Sequence, residues 1–117
     1  MDTSNLVNMN GMFQNFKSLT SIDVSNFNTS KVEYMNNLFY MCYSLTSINL
    51  SNFDMRKLKT FPYSIISDCY KLIYIDISSF TNELRVDIRS SNGIIKINKT
   101  LYEYYKKILP RNWTIIY

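Results

Sequence analysis

Asp23, Asn49 and Asp76 recur at spacings of 26 and 27 residues, and the two thiols, Cys42 and Cys69, recur at 27. Thiols could ligate a metal, attack an electrophile or pair as a disulfide, and polar groups at a fixed interval could meet a partner as a row. Catalysis finds little support. The chain has no His, which removes the commonest general base and the commonest imidazole metal ligand. Two cysteines are too few for a structural zinc site. Neither a Gly-rich phosphate loop nor a nucleophile elbow occurs. With no acid, base, nucleophile and metal set at recognisable spacing, the chain reads as a non-enzyme with no cofactor and no metal. Four Asn-x-Ser/Thr acceptors, at Asn28, Asn49, Asn98 and Asn112, carry little weight, because this composition yields about 2.6 by chance.

The elements that must hold these residues emerge from an internal repeat. Sliding the chain by 26 residues lays Thr3 to Asn28 on Thr29 to Asp54 with 13 identities, including Met9/Met35, Phe13/Phe39, Ile22/Ile48 and Phe27/Phe53. A third, more worn copy follows: Leu58 stands 26 after Val32, while Cys69, Leu72, Ile75, Ile77 and Phe80 stand 27 after their counterparts. One residue has been inserted, near Pro62. The copies are 3–28, 29–54 and 55–81, and each holds an LxxLxL core, the last being Leu72, Ile75 and Ile77. That length and that core are the signature of leucine-rich-type repeats.

Within a copy the hydrophobic period changes. In LTSIDVS, Ile22 and Val24 alternate with Ser21, Asp23 and Ser25, a period of two that predicts a strand with one buried face. In VEYMNNLFYMC, Val32, Met35, Leu38, Phe39 and Cys42 recur at steps of three and four, which predicts a helix. Ser30 with Glu33 forms a capping box for it, and Ser4 and Asp54 cap the helices of their own copies. A lone unit cannot bury its apolar face, so stacking three in register creates the core, with parallel strands along one side. Side chains between the buried strand positions then point outward as rows. The candidate partner-binding face is Ser21, Asp23, Ser25, Ser47, Asn49, Ser51, Tyr74, Asp76 and Ser78; polarity from simple contact with water is the plainer account of the same residues. Cys42 and Cys69 fall at equivalent positions, near enough for a disulfide in an oxidising setting. Phe16 fills that slot in the first copy, which marks it as a buried apolar position where free Cys acts as a small hydrophobe.

The second copy, TSKVEYMNNLFYMCYSLTSINLSNFD, resembles the BspA-type leucine-rich repeat, whose unit reads approximately TSxVxxMxxMFxxCxSLTSLxLSxFD. The resemblance is close over residues 3–54 and looser over 55–80. It implies a right-handed α/β solenoid, cell-surface or secreted placement, and a role in adhesion or protein binding. The ligand is then a protein partner or a host or cell-surface molecule. An intracellular protein–protein interaction scaffold is the alternative, motivated by a Cys pair read as reduced and by the absence of a readable targeting signal in Met1-Asp-Thr-Ser-Asn. The position that carries Asn in ordinary leucine-rich repeats holds Phe27, Phe53 and Phe80, which predicts a stacked phenylalanine spine in place of an asparagine ladder. The chain opens inside a repeat, so it is expected to be a fragment of a longer array.

Residues 82–117 read as a C-terminal strand–helix–strand cap: Ile94 to Ile97 as a strand, a helix headed by a Thr100 and Glu103 capping box and ended by Pro110, then a closing edge with Trp113, Ile115 and Ile116. Leu84, Val86 and Ile88 alternate ahead of it. Tyr102, Tyr105 and Trp113 are assigned to cap packing. The chain carries 13 Lys and Arg against 9 Asp and Glu, and the whole excess lies here, where 7 basic residues face Glu83, Asp87 and Glu103. Solubilising charge on a cap outweighs nucleic acid as the reading of that excess. No apolar run approaches the roughly 20 residues that span a bilayer.

Overall fold

A computed structural model of the chain describes residues 2–62 and 64–117. Strands β1 (Ser47–Asn49), β2 (Tyr74–Asp76), β3 (Asn92–Lys96) and β4 (Asn112–Ile116) form one parallel sheet in the order β1-β2-β3-β4. Among the described residues the one α-helix, α1 (Tyr102–Ile108), is entered through a 3-10 turn at Lys99–Leu101. The fold is therefore mixed α/β, with parallel strands, and its end is strand, helix, strand. Parallel neighbours need long crossovers, which the repeat supplies between β1 and β2 and which α1 supplies between β3 and β4. No helix among the described residues is long and apolar enough to cross a membrane.

The register turns sequence repetition into a core. Ile48 pairs with Ile75, and Ile75 with Ile95, so these side chains stack on the inner face, all essentially inaccessible. Leu45 and Leu72 precede them, Leu50 and Ile77 follow, and all four are buried.

Among the described residues, the helices expected inside the copies are absent. Val32, Met35, Leu38, Phe39 and Cys42 are all completely buried, yet residues 30–42 are turns. Many of their N–H groups and carbonyls bond to the neighbouring copy, and the bonds kept within the segment, such as Tyr40 N–H to Asn37 O and Cys42 N–H to Phe39 O, span three residues as in turns. Met9, Gly11, Phe13 and Asn15 N–H donate to the carbonyls of Tyr34, Asn36, Leu38 and Tyr40 at 2.7, 2.9, 3.0 and 2.9 Å, and Phe39 and Met41 donate likewise to Ile65 and Ser67 at 3.0 Å. Left-handed residues at equivalent positions, Gly11 and Asn37 (φ 63° and 57°), then Asn15, Met41 and Asp68 (φ 65°, 61° and 60°), break any helical run. The expected capping boxes dissolve with the helices. Ser4, Ser30 and Arg56 N–H instead donate to the side chains two residues earlier, Asp2, Asn28 and Asp54, an Asx turn repeated once per copy. Buried Thr3 and Thr29 serve the stack itself, their Oγ1 atoms accepting Asn28 and Asp54 N–H at 2.7 Å.

The phenylalanine spine is also redistributed. Phe53 and Phe80 are buried and Phe27 half-buried, but the stacked pair is Phe13 on Phe39, with centroids 5.3 Å apart and planes 12° apart. Phe27 tilts against Phe13 at 5.9 Å. Side-chain bonds between copies do exist one residue before the phenylalanines: Asn52 Nδ2 donates to the carbonyls of Val24, Ser25 and Phe27 at 3.1 to 3.2 Å, and Ser79 Oγ donates to Leu50 O at 2.8 Å. Residues 21–24 in the first copy are not a strand. They meet the second copy through bonds such as Asn52 Nδ2 to Val24 O at 3.1 Å. Phe16 is 47% exposed, against the buried slot expected for it.

At the C-terminus, the Thr100 and Glu103 capping box is replaced by Asn98, whose Oδ1 accepts Thr100 N–H at 3.1 Å. Leu84 is buried, with Val86 and Ile88 half-buried, but residues 83–89 are not a strand. The last strand locks through Trp113, whose Nε1 donates to Ser90 O at 3.0 Å while its ring lies over Gly93, its register partner on β3. A Cβ on Gly93 would stand 2.6 Å from both Ile73 O and the indole ring. Gly93→Ala is therefore expected to cost about 1 to 3 kcal/mol from overpacking, read as a fall in urea midpoint; unchanged stability would mean that the indole lies elsewhere.

Candidate functional site

The outer face of the sheet is built by alternation. With Ile48, Ile75 and Ile95 turned inward, Ser47, Tyr74, Ile94 and Thr114 form one cross-strand row, and Asn49, Asp76, Lys96 and Ile116 the next. Sequence spacing located the first halves of both rows. Ile94, Lys96, Thr114 and Ile116 were missed because β3 and β4 belong to no copy, and only their own apolar alternation marks them.

The nine candidate residues differ in how open they are. Ser21, Asp23, Ser25, Asn49 and Ser51 are exposed; Ser47, Tyr74 and Ser78 are half-buried. Asp76 is buried, at 4% exposure, and so departs from the outward-facing row in which it was placed. Asp23, Ser25, Asn49 and Ser51 meet around a shallow depression of about 120 Å³, with Asn52 at its edge.

The row also does structural work. Asp23, Asn49 and Asp76 each use Oδ1 to accept the N–H two residues on, from Ser25, Ser51 and Ser78, at 2.9, 3.0 and 3.0 Å. Ser51 and Ser78 Oγ add bonds of 2.7 and 2.6 Å to the same oxygens. The Asp-x-Ser or Asn-x-Ser spacing is the signal for this turn. The Ser25 hydroxyl and amide hold the Asp23 carboxyl below its usual range, so this exposed group is an anion at neutral pH.

Cys42 and Cys69 are free, buried thiols stacked across copies 2 and 3. Each donates to the carbonyl of the equivalent phenylalanine one copy back, Cys42 to Phe13 O and Cys69 to Phe39 O, both at 3.0 Å. A small hydrophobe with a weak donor suits that position. The Cys42 thiol beside it and burial both push Cys69 up. Among the described residues no group of three or more His, Cys, Asp or Glu is arranged to hold a metal ion.

A second exposed column escaped the sequence reading, although Lys17, Tyr43 and Tyr70 share one repeat position. The Tyr43 and Tyr70 rings stack with centroids 5.3 Å apart. Lys17 Nζ sits 5.8 Å over the free face of the one and the Arg89 guanidinium 4.8 Å over that of the other. Tyr70 OH donates to Asp68 at 2.8 Å, which raises the phenol above its ordinary value.

No curated protein and no solved structure matches this chain. A family model described as "Mycoplasma protein of unknown function, DUF285" matches residues 1–88, the three copies and the segment after them, and stops before β3. The chain thus belongs to this Mycoplasma family of unknown function.

Proposed function

We propose that the chain is a non-catalytic protein-binding or adhesive surface module, a right-handed solenoid of BspA-type leucine-rich repeats whose outer strand face meets the partner. The observation that carries this reading is the register of the two cross-strand rows, which sets polar side chains of successive copies side by side at the strand spacing. Such a row meets an extended partner through several weak contacts that add by proximity. The best-placed residues are Asp23, Ser25, Asn49 and Ser51, which share one depression.

The test is binding of a partner recovered by crosslinking from host or bacterial surface extracts. Asp23→Arg with Asn49→Arg is expected to weaken it at least about tenfold, since like charges or lost contacts at two adjoining positions exceed about 1.4 kcal/mol. Lys106→Ala with Lys107→Ala should leave it unchanged. Normal binding by the strand-face variant, or a robust, mutation-sensitive turnover in a hydrolase screen, would sink the proposal. The scaffold alternative draws on the free, buried thiols and uses the same face. Protease shaving of intact cells separates the two, because only a surface module is trimmed.

A further inference from the structure

The sheet's outer face changes character toward its last strand. Asn49 on β1, with Asp23 of the first copy beside it, marks a polar, anionic end, whereas Ile94 and Ile116 are 42% and 40% exposed at the other, with Lys96 in register beside Ile116. Tyr117 follows Ile116, and the cations on and around α1 outnumber exposed Glu103, the acidic side chain of that helix. Tyr117 is 62% exposed. Lys99 Nζ stands 5.1 Å over its ring, Tyr102 meets it edge-on at 6.0 Å, and Lys106 Nζ stands 5.7 Å over Tyr102. Arg111 joins Tyr102 and Lys106 around a depression of about 180 Å³.

Two facts give this patch its chemistry. Among the described residues the ion pairs are Arg56 with Asp54, Lys59 with Glu33 and Arg89 with Asp87, so Lys96, Lys99, Lys106 and Arg111 form no ion pair. Interleaved with them are aliphatic and tyrosine side chains left in water. The depression is smaller than the roughly 300 to 1,000 Å³ of small-molecule sites, so a broad partner fits better than a small one. A phosphodiester polymer would satisfy the cations and leave Ile116 without a gain. A bilayer surface with anionic headgroups uses both, as lysine ammonium groups reach phosphates while tyrosine and isoleucine enter the headgroup boundary.

We propose that the C-terminal patch of Lys99, Tyr102, Lys106, Arg111, Ile116 and Tyr117 docks this chain on membranes bearing anionic lipid. The attachment is peripheral and leaves the Asp23 and Asn49 end of the sheet free, so it stands independently of the partner site proposed above.

The experiment is co-sedimentation of the full chain with phosphatidylcholine vesicles, with and without phosphatidylserine. Binding is expected only with phosphatidylserine and should weaken as salt is raised. Lys99→Glu with Lys106→Glu should lower partitioning at least about thirty-fold, since each cation near an anionic surface accounts for about fivefold. Ile116→Ser with Tyr117→Ser should lower it about tenfold while the salt dependence persists. Lys31→Glu with Lys57→Glu, the same change in net charge elsewhere, should alter it less than about threefold. Three outcomes would overturn the proposal: no sedimentation with phosphatidylserine at low salt, equal losses in the patch and control variants, or preferential binding of wild type to an oligonucleotide that the same patch variants abolish.

Discussion

Replacing Phe39 by Ala lowers stability by about 3 to 5 kcal/mol, the cost of removing a large buried aromatic that the surroundings cannot close over. Phe39 has no exposed surface, stacks on Phe13 of the preceding copy, and offers its carbonyl to Cys69 of the next. One residue thus ties three copies, by its ring to the first and by its carbonyl to the third, and loss of the ring is comparable with the lower end of a small domain's net stability of about 5 to 15 kcal/mol. Urea unfolding of the variant measures it. Phe16→Ala is the companion, because Phe16 is 47% exposed and touches Phe13 only edge-on at 6.1 Å. It should cost less than about 1 kcal/mol. A Phe39 variant no less stable than the Phe16 variant would show that the copies do not stack through this ring.

The second large effect is alkaline. Tyr105 is fully buried and its hydroxyl oxygen accepts Leu84 N–H at 3.1 Å, joining α1 to the segment before β3. Burial pushes its phenol from 10.0 to about 12. The unfolded chain gives up this proton near pH 10 while the folded chain keeps it until about pH 12. The unfolded state therefore binds fewer protons in that window, and stability falls as pH rises through it. The loss approaches roughly 2 to 3 kcal/mol. Tyr105→Phe removes this increment and costs about 1 to 3 kcal/mol at neutral pH, because Leu84 N–H is left buried without an acceptor. Unfolding free energies of both proteins from pH 8 to 12 decide the matter. Parallel curves would place the Tyr105 hydroxyl in water.

Much of the fold was legible because burial follows the repeat whatever the local backbone does. Met35, Leu38, Phe39, Cys42 and Ile48 are where their periodicity put them, in the core. Backbone conformation was less legible. Steps of three and four residues suit a helix, but they suit equally a run of turns whose N–H groups bond to the next copy, and hydrophobicity does not separate the two. The separating mark was Gly11 followed one repeat later by Asn37, with Asn15 and Asp68 two repeats apart, residue types that tolerate a left-handed backbone, although Met41 between them gives no such sign. At the candidate site, Ser25, Ser51 and Ser78 following Asp23, Asn49 and Asp76 by two residues signal Asx turns. That reading accounts for part of the row's polarity without a partner. The burial of Asp76 was not legible, since nothing in its own copy distinguishes it from exposed Asn49.

The tyrosine column between Lys17 and Arg89 bears on how such arrays change length. Its interior positions are interchangeable, because Tyr43 and Tyr70 each present a π face to the neighbour on either side, while the two cations act as terminators. A duplicated unit carrying tyrosine at this position would enter between them as another ring, and neither terminator would need to move or mutate. In a longer array the column would lengthen by one ring per added copy, with a cation over each outer ring.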